Sequence, residues 1–418
     1  MLNLPVFNKK KKGNSPINPE DNLLAIDIGT ENLKTLLFNT TELGVNIKKV
    51  SRIKQQQNAM SKGKIQNLET VLENCRLAIS DVTAELSEQE APTHAVLGLA
   101  GEYVQGVSII VNYEREEKYD SDVTQKEEAR IIEKVHEQII SSGKEDLALR
   151  TGLLNEDIEI LHITVTGMEI GGMNVNSLAG FRGKSVKLFF YASFAPKTYV
   201  DSLKGLMESL ELELLGIVAQ PFAVARAYSG ARNKDFSGIF VDIGGGTTDV
   251  AVVDNGNVLD TQMFAFGGRV FTKQISNAMN LDYRHAESRK VKYSEGQLDK
   301  GISGEIKSIM YPTAELWMKT LKASLEMVDD IDSFPSQIFI CGGGAMLPDI
   351  KNVMLEFPWT KLLPFTSIPK VNVFLPERLY GISDESGDLK LSLDVTPAAL
   401  ARFSYDKITN PDNYYYSI

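Results

Sequence analysis

The feature that most limits what this chain can fold into is a pattern that it uses twice. Aligned without gaps, LLAIDIGTENLKTLLF at 23–38 matches GIFVDIGGGTTDVAVV at 238–253: an apolar run, Asp-Ile-Gly, a small polar turn, then apolar residues again. Each copy reads as strand, tight turn, strand, with an aspartate at the end of the first strand and glycine where the backbone must bend sharply or admit a ligand. Two copies about two hundred residues apart imply two related halves. A chain of 418 residues is also too long for one core of usual size, so at least two lobes are expected.

Helical stretches separate the strands. Leu68, Val71, Leu72, Cys75, Ile79, Val82 and Leu86 recur at helical spacing, and Pro196 opens a second helix with Leu203, Leu206, Met207 and Leu210 on one face. Pro221 opens a third, PFAVARAYSG, rich in alanine and ended by Gly230. Strands mixed with helices in this way predict α/β lobes rather than a bundle or a sandwich. Residues 92–193 differ: the strand candidates HAVLGLAG, GVSIIVNY, IEILHITV and SVKLFFYASF surround one charged helical segment, TQKEEARIIEKVHEQII, the pattern of an inserted α+β module.

Charge and composition remove several function classes. The 44 Lys+Arg against 55 Asp+Glu leave a net charge of −11, which argues against a broad basic surface for gripping nucleic acid. Cys75 and Cys341, with four scattered histidines, supply neither a disulfide framework nor zinc-ligand spacing. No window reaches the ~18 consecutive apolar residues of a membrane span, and MLNLPVFNKKKK puts its lysines after a short apolar stretch, the reverse of a secretion signal; a cytoplasmic protein is expected. Residues 1–21 read as a flexible basic tail. Its Leu2, Leu4, Val6 and Phe7 beside Lys9 to Lys12 offer a weak contact to anionic lipid, at about 1 kcal/mol per lysine, against the plainer reading of a solvated tail. The other end, KITNPDNYYYSI, holds Pro411 and one lysine and does not make a basic amphipathic helix.

A third glycine-rich site is QIFICGGGAMLPDI: an apolar strand enters Gly342, Gly343 and Gly344, followed by a helix with Met346, Ile350, Val353, Met354 and Phe357 on its buried face. Alone, such a triplet is a structural turn as readily as a ligand site. The combination with the two hairpins says more. Asp27 and Asp242, each just before a glycine-containing turn, are oxygen ligands of the kind a hydrated Mg²⁺ accepts. Gly29 and Thr30 in one turn, and Gly244, Gly245 and Gly246 in the other, offer backbone N–H groups to phosphate oxygens from both sides. Thr247 and Thr248 add hydroxyl donors for the terminal phosphates, and Asp249 either completes the metal's outer shell or bonds the hairpin backbone. Two clamps and a third glycine loop make a nucleotide cleft.

DIGT at 27–30, VDIGGGTTD at 241–249 and CGGGAMLP at 341–348, in that order, resemble the phosphate-1, phosphate-2 and adenosine motifs of the actin, sugar-kinase and heat-shock chaperone superfamily of ATP-binding proteins. FAFGGRVFTKQI (264–275) and AESRK (286–290) are similar to the GG-x-x-x-T and A-E-x-x-K segments of bacterial actin homologues, especially the FtsA family of cell division proteins. The resemblance implies an α/β, actin-like (ribonuclease H-like) ATPase fold, with two lobes around a cleft for ATP and Mg²⁺. By it Glu287 and Lys290 touch the ribose or base; as residues alone they equally suit a surface pair at i and i+3. VAQPFAVARAYSG (218–230) resembles the interdomain helix of actins, where a Gln or Glu positions the attacking water. Gln220 holds that place, and because an amide orients water without taking its proton, slow hydrolysis at most is expected. TPAALARF (396–403) resembles the helix that returns to the first lobe. The implied division is a first lobe of 22–91, 194–229 and 394–405, a module at 92–193, a second lobe at 230–393 and a C-terminal tail at 406–418.

The position and strand content of 92–193 match the strand-helix-strand-strand module that FtsA and the pilus-assembly protein PilM share, and VLGLAGEYVQGVS and GMNVNSLAGFRGKSVKLFFYASF resemble FtsA more. The resemblance thus implies an ATP-binding scaffold of bacterial cell division that polymerises or switches with ATP and links the tubulin-like FtsZ to other divisome proteins. It would sit in the cytoplasm or at the inner face of the membrane or septum, with membrane contact indirect or through the N-terminal tail. A PilM-like adaptor of type IV pili is the alternative. A small-molecule kinase of the same fold is less favoured, since no distinctive acceptor loop with a catalytic aspartate stands out.

Overall fold

The computed structural model describes residues 17–101, 104–115, 120–229, 235–328, 331–410 and 414–417. Leu2 to Lys12, where a lipid contact was expected, and Gly230, expected to end a helix, lie outside them.

Three antiparallel strands open the fold: β1 (Leu23–Ile28), β2 (Asn32–Thr41) and β3 (Gly44–Lys54). A small hairpin of β4 (Met60–Ser61) and β5 (Lys64–Ile65) leads to α1 (Leu68–Thr83), whose first turn is capped by the Asn67 side chain accepting from the Thr70 N–H. β6 (His94–Leu99) then runs parallel to β1. The inserted module follows, with β7 (Gln105–Glu114), α2 (Gln125–Thr151), β8 (Ile158–Ile170), β9 (Met173–Val175) and β10 (Ser185–Pro196). Next, α3 (Lys197–Ser209), β11 (Glu213–Ala219) and α4 (Gln220–Ser229) return to the first sheet.

The second lobe repeats the opening. β12 (Gly238–Ile243), β13 (Thr248–Asp254) and β14 (Asn257–Phe264) form the antiparallel meander. After α5 (Gly268–Met279), α6 (Tyr283–Ser294) and α7 (Lys300–Leu325), β15 (Gln337–Cys341) runs parallel to β12. α8 (Pro348–Glu356), α9 (Trp359–Leu362) and β16 (Lys370–Val373) complete it, and β17 (Ile382–Asp384), α10 (Val395–Thr409) and β18 (Tyr414–Ser417) end the chain. The sheet orders are β11-β6-β1-β2-β3-β17 and β14-β13-β12-β15-β16, so β6-β1-β2-β3 in one lobe corresponds to β15-β12-β13-β14 in the other. The self-similarity of the two Asp-Ile-Gly segments is the trace of this shared topology.

Helices α4 and α10 lie against each other between the two sheets. Their buried alanines, Ala223, Ala225 and Ala227 in one and Ala398, Ala399 and Ala401 in the other, keep the layers close. Gly98 serves the same end, because a Cβ there would stand 2.5 Å from Leu400 Cδ1. The module's sheet, β18-β8-β10-β7, packs α2 on one face. On the other, His162 and Tyr191 meet Phe222 of α4, and His162 also meets Phe403 of α10.

Four expectations change. β6 sits between β11 and β1, so HAVLGL belongs to the first lobe and the module starts after Leu99 rather than at 92; a strand buried on both faces is an apolar run that looks alike in either setting. β17, expected in the second lobe, pairs with β3. At the end of the chain, α10 continues to Thr409 and β18 pairs with β8, where residues 406–418 were expected as a tail. Finally, Gly343–Met346 is a single 3₁₀ turn before α8, which leaves Met346 52% exposed and Phe357 just past the helix.

Candidate functional site

The β1–β2 and β12–β13 turns come from opposite lobes and border one cavity of about 500 Å³. Asp27, Gly29 and Thr30 line it from the first turn, and Asp242, Gly244, Gly245, Thr247 and Asp249 from the second. Hairpin register sets Asp27 opposite Lys34 and Asp242 opposite Asp249. Lys34 Nζ lies 2.5 Å from Asp27 Oδ2 and also donates to the Leu393 carbonyl at 3.3 Å. Gln220, at the start of α4, donates from Nε2 to Asp27 Oδ1 at 2.8 Å. Across the cleft, Thr396 of α10 donates to Asp242 Oδ2 at 2.5 Å, and Thr247 donates to Asp249 Oδ2 at 3.1 Å.

Burial opposes the Lys34 ammonium, but Asp27, Asp242 and Asp394 outweigh it and hold the group above its ordinary pKa. Asp242 is raised by burial, with Lys34 and the Thr396 hydroxyl working the other way. Asp249 is raised further, by burial and then by the Asp242 charge. Two neighbouring carboxylates that each resist ionisation are relieved by a cation between them and the anion they face. Among the described residues no three His, Cys, Asp or Glu side chains are grouped as a metal cage. Asp27 and Asp242 instead suit Mg²⁺, which keeps several waters and takes other ligands from phosphate oxygens.

Glu287 and Lys290 lie on α6, and neither is on the surface. Lys290 Nζ contacts Glu287 Oε2 at 2.8 Å, donates to Thr272 Oγ1 at 2.7 Å and to the Gly268 carbonyl at 3.1 Å, and Thr272 in turn donates to Glu287. The AESRK and GGRVFT segments are thereby tied into one buried cluster that also lines the cavity. Gly342, Gly343 and Gly344 line it beside Met346. Gly342 has φ +82°, and a Cβ there would stand 2.2 Å from Asp242 Oδ1, so the third loop must be bare backbone where it passes the second turn.

Two expected residues do not reach the cavity. Thr248 is fully buried: its hydroxyl donates to the Phe266 carbonyl at 2.6 Å and accepts from Trp317 Nε1 at 2.9 Å. Thr247 ends the turn and Thr248 opens β13, and the two side chains part, Thr247 to the cavity and Thr248 to the core. Gly246 does not line the cavity either; it packs against Thr30, whose Oγ1 would stand 2.7 Å from a Cβ. Conversely Lys34, Glu31, Arg269 and Thr396, which the motifs did not single out, are part of the site. Lys34 was within reach of hairpin register; Arg269 and Thr396 carry no local signal.

A family model described as "Cell division protein FtsA" matches residues 239–376. The chain is 24% identical over 356 residues to the cell division protein FtsA of Enterococcus faecalis, covering 80% of this chain and 76% of that one. It is 23% identical over 370 residues to FtsA of Bacillus subtilis, covering 81% and 77%. Among solved structures, a PilM-PilN type IV pilus biogenesis complex superposes with a TM-score of 0.66 at 15% identity over 93% of this chain and 99% of that one. The MreB 5 of Spiroplasma citri bound to AMPPNP gives 0.50 at 13% identity over 94% and 98%. The fold is the actin-like ATPase fold. The motif resemblance to FtsA is matched over most of the chain, and the PilM likeness is one of fold.

Proposed function

We propose that this chain is an ATP-binding, actin-like scaffold of bacterial cell division, related in role to FtsA. The observation that carries this is the pair of aspartate-tipped turns, one from each lobe, bordering a single cavity. In this reading Asp27 and Asp242 hold a hydrated Mg²⁺, and the backbone of Gly29, Thr30, Gly244 and Gly245 with Thr247 and Lys34 holds the phosphates. Gly342 to Gly344, Glu287 and Lys290 border the nucleoside. The MreB 5 structure, bound to AMPPNP, supports a nucleotide in a cleft of this fold. In this reading Gln220, which donates to Asp27, orients a water without taking its proton, and slow turnover at most follows.

ATP spanning both turns stabilises the closed arrangement in proportion to its preference for it, so contacts to FtsZ, to other divisome proteins or to further copies of the chain can follow nucleotide state. The module is the surface proposed for such partners. Among the described residues no helix is long and apolar enough to cross a membrane, and membrane contact is assigned to a partner or to the N-terminal tail. Calorimetry with Mg·ATP tests the site, and loss of all binding in wild type would end this reading. The PilM-PilN likeness favours one second reading, an adaptor that grips a pilus peptide. Co-sedimentation with FtsZ against pull-down by a pilus inner-membrane peptide separates the two.

A further inference from the structure

Glu31 follows the Asp-Ile-Gly-Thr turn directly and lines the phosphate end of the cavity. A carboxylate there opposes an incoming polyphosphate unless its charge is cancelled. The group that cancels it comes from the other lobe. Arg269, in the first turn of α5, donates from Nε to Glu31 Oε1, and its remaining N–H groups reach three first-lobe carbonyls: Thr30 at 2.8 Å, Met60 at 2.7 Å and Gln57 at 3.2 Å. Tyr283 of α6 adds its hydroxyl to Glu31 Oε1 at 3.1 Å. The Arg269 and Glu31 side chains are only 19% and 15% exposed, so this is no solvated surface pair. Buried ion pairs hold when the geometry is good and the leftover donors are satisfied, and a guanidinium with four oxygen acceptors meets both conditions.

The packing around it is equally close. A Cβ at Gly245 would stand 2.5 Å from Glu31 Cγ, so the second-lobe turn lies directly on the side chain that Arg269 holds. Arg269 N–H also donates to the Gly245 carbonyl at 2.8 Å, which fixes the start of α5 to that turn. One residue therefore links the phosphate-2 turn, the α5 N-terminus and the phosphate-1 turn through protein atoms alone.

We infer that Arg269 and Glu31 form an inter-lobe clasp that favours closure of the cleft before nucleotide binds and must open for nucleotide to leave. The second half of this inference rests on reading the cleft as a nucleotide site; the first does not. A clasp of this kind raises the resting population of the binding-competent state, so part of the cost of closing the lobes is met before the ligand arrives while nucleotide still shifts the balance further, and it slows exit because the four Arg269 bonds must break first.

The test compares the full chain with R269A, in two measurements: small-angle scattering without nucleotide, and the dissociation rate of a fluorescent ATP analogue with Mg²⁺. R269A is expected to enlarge the nucleotide-free radius of gyration and to release the analogue at least about tenfold faster, with R269K intermediate because an ammonium cannot reach all four oxygens. An unchanged radius in R269A, or an unchanged release rate, overturns the clasp. Should R269A fail to fold, E31Q and R269K are read by the same two criteria. If the wild type binds no analogue, the nucleotide reading fails, and scattering alone still decides whether the lobes are clasped.

Discussion

The cleft and the seat of the inserted module are both buried junctions, and they are built from opposite chemistry. At the cleft, the lobes meet through polar groups, Arg269 with Glu31 and Thr396 with Asp242, beside the Lys34–Asp27 pair inside the first-lobe hairpin. At the seat, the module meets the first lobe through rings, with Tyr191 stacked on Phe222 at 4.1 Å and His162 wedged between Phe222 and Phe403. Apolar packing is non-directional and does not depend on a ligand. Buried charge is stable only with its partners in place, so an anion or cation entering the cleft changes the balance there and leaves the seat untouched. The molecule thus separates a junction that responds from one that holds.

The sharpest way to break this contrast is at Asp242. D242A is expected to lose Mg-dependent ATP binding by about 100-fold or more, some 2.7 kcal/mol, with the fold retained; unaltered affinity by calorimetry would remove the metal assignment. At the seat the expectation is reversed. F222A deletes a ring with no exposed area and should cost about 3–5 kcal/mol of stability by denaturant unfolding, while the folded fraction binds nucleotide as before. A large loss of affinity in F222A that outlasts correction for unfolding would show the two junctions to be coupled.

The seat should also respond to acid. Burial, and then the nearby Lys407 ammonium, push His162 down from 6.5 to about 3. In that window the unfolded chain binds a proton that the folded chain does not, so this contribution is present above the unfolded value and is lost as pH falls through the window. At about 1.4 kcal/mol per pH unit, roughly 2 kcal/mol disappears between pH 6.5 and 5. H162F should show a smaller drop in Tm from pH 7 to pH 5 than the wild type; equal drops would acquit His162. The smallest effect is expected at the nucleoside end. K290A should weaken ATP by about tenfold, near 1.4 kcal/mol, and lower stability by leaving Glu287 buried without its cation.

How much of this could be read beforehand depended on how local the signal was. The two hairpins were legible because strand, aspartate and glycine turn lie within sixteen consecutive residues, and their shared topology then follows. Thr247 and Thr248 read alike in the motif, and what separates them is the start of β13 at Thr248, whose hydroxyl turns to the Phe266 carbonyl and Trp317. Lys34 needed only the count across the turn that pairs it with Asp27. The membership of His94–Leu99 was not legible: its pairing with Leu23–Asp27 spans some seventy residues, and a doubly buried strand gives the same apolar run in a lobe or in a module. Arg269 and Thr396 act across the cleft and leave no periodic trace. A deletion meant to excise the module must accordingly spare His94–Leu99, since removing them would take a strand from the middle of the first sheet.

The last strand has a practical bearing. Because α10 is bedded between the lobes while β18 runs beside β8, the last described strand is stitched to the insert, so a reporter attached at β18 would ride on that insert and not on the two-lobed body. Its fluorescence or crosslinking would report who docks there, and a bulky fusion that strips the final rung from the sheet would announce itself as a defect in partnering before any defect in nucleotide handling.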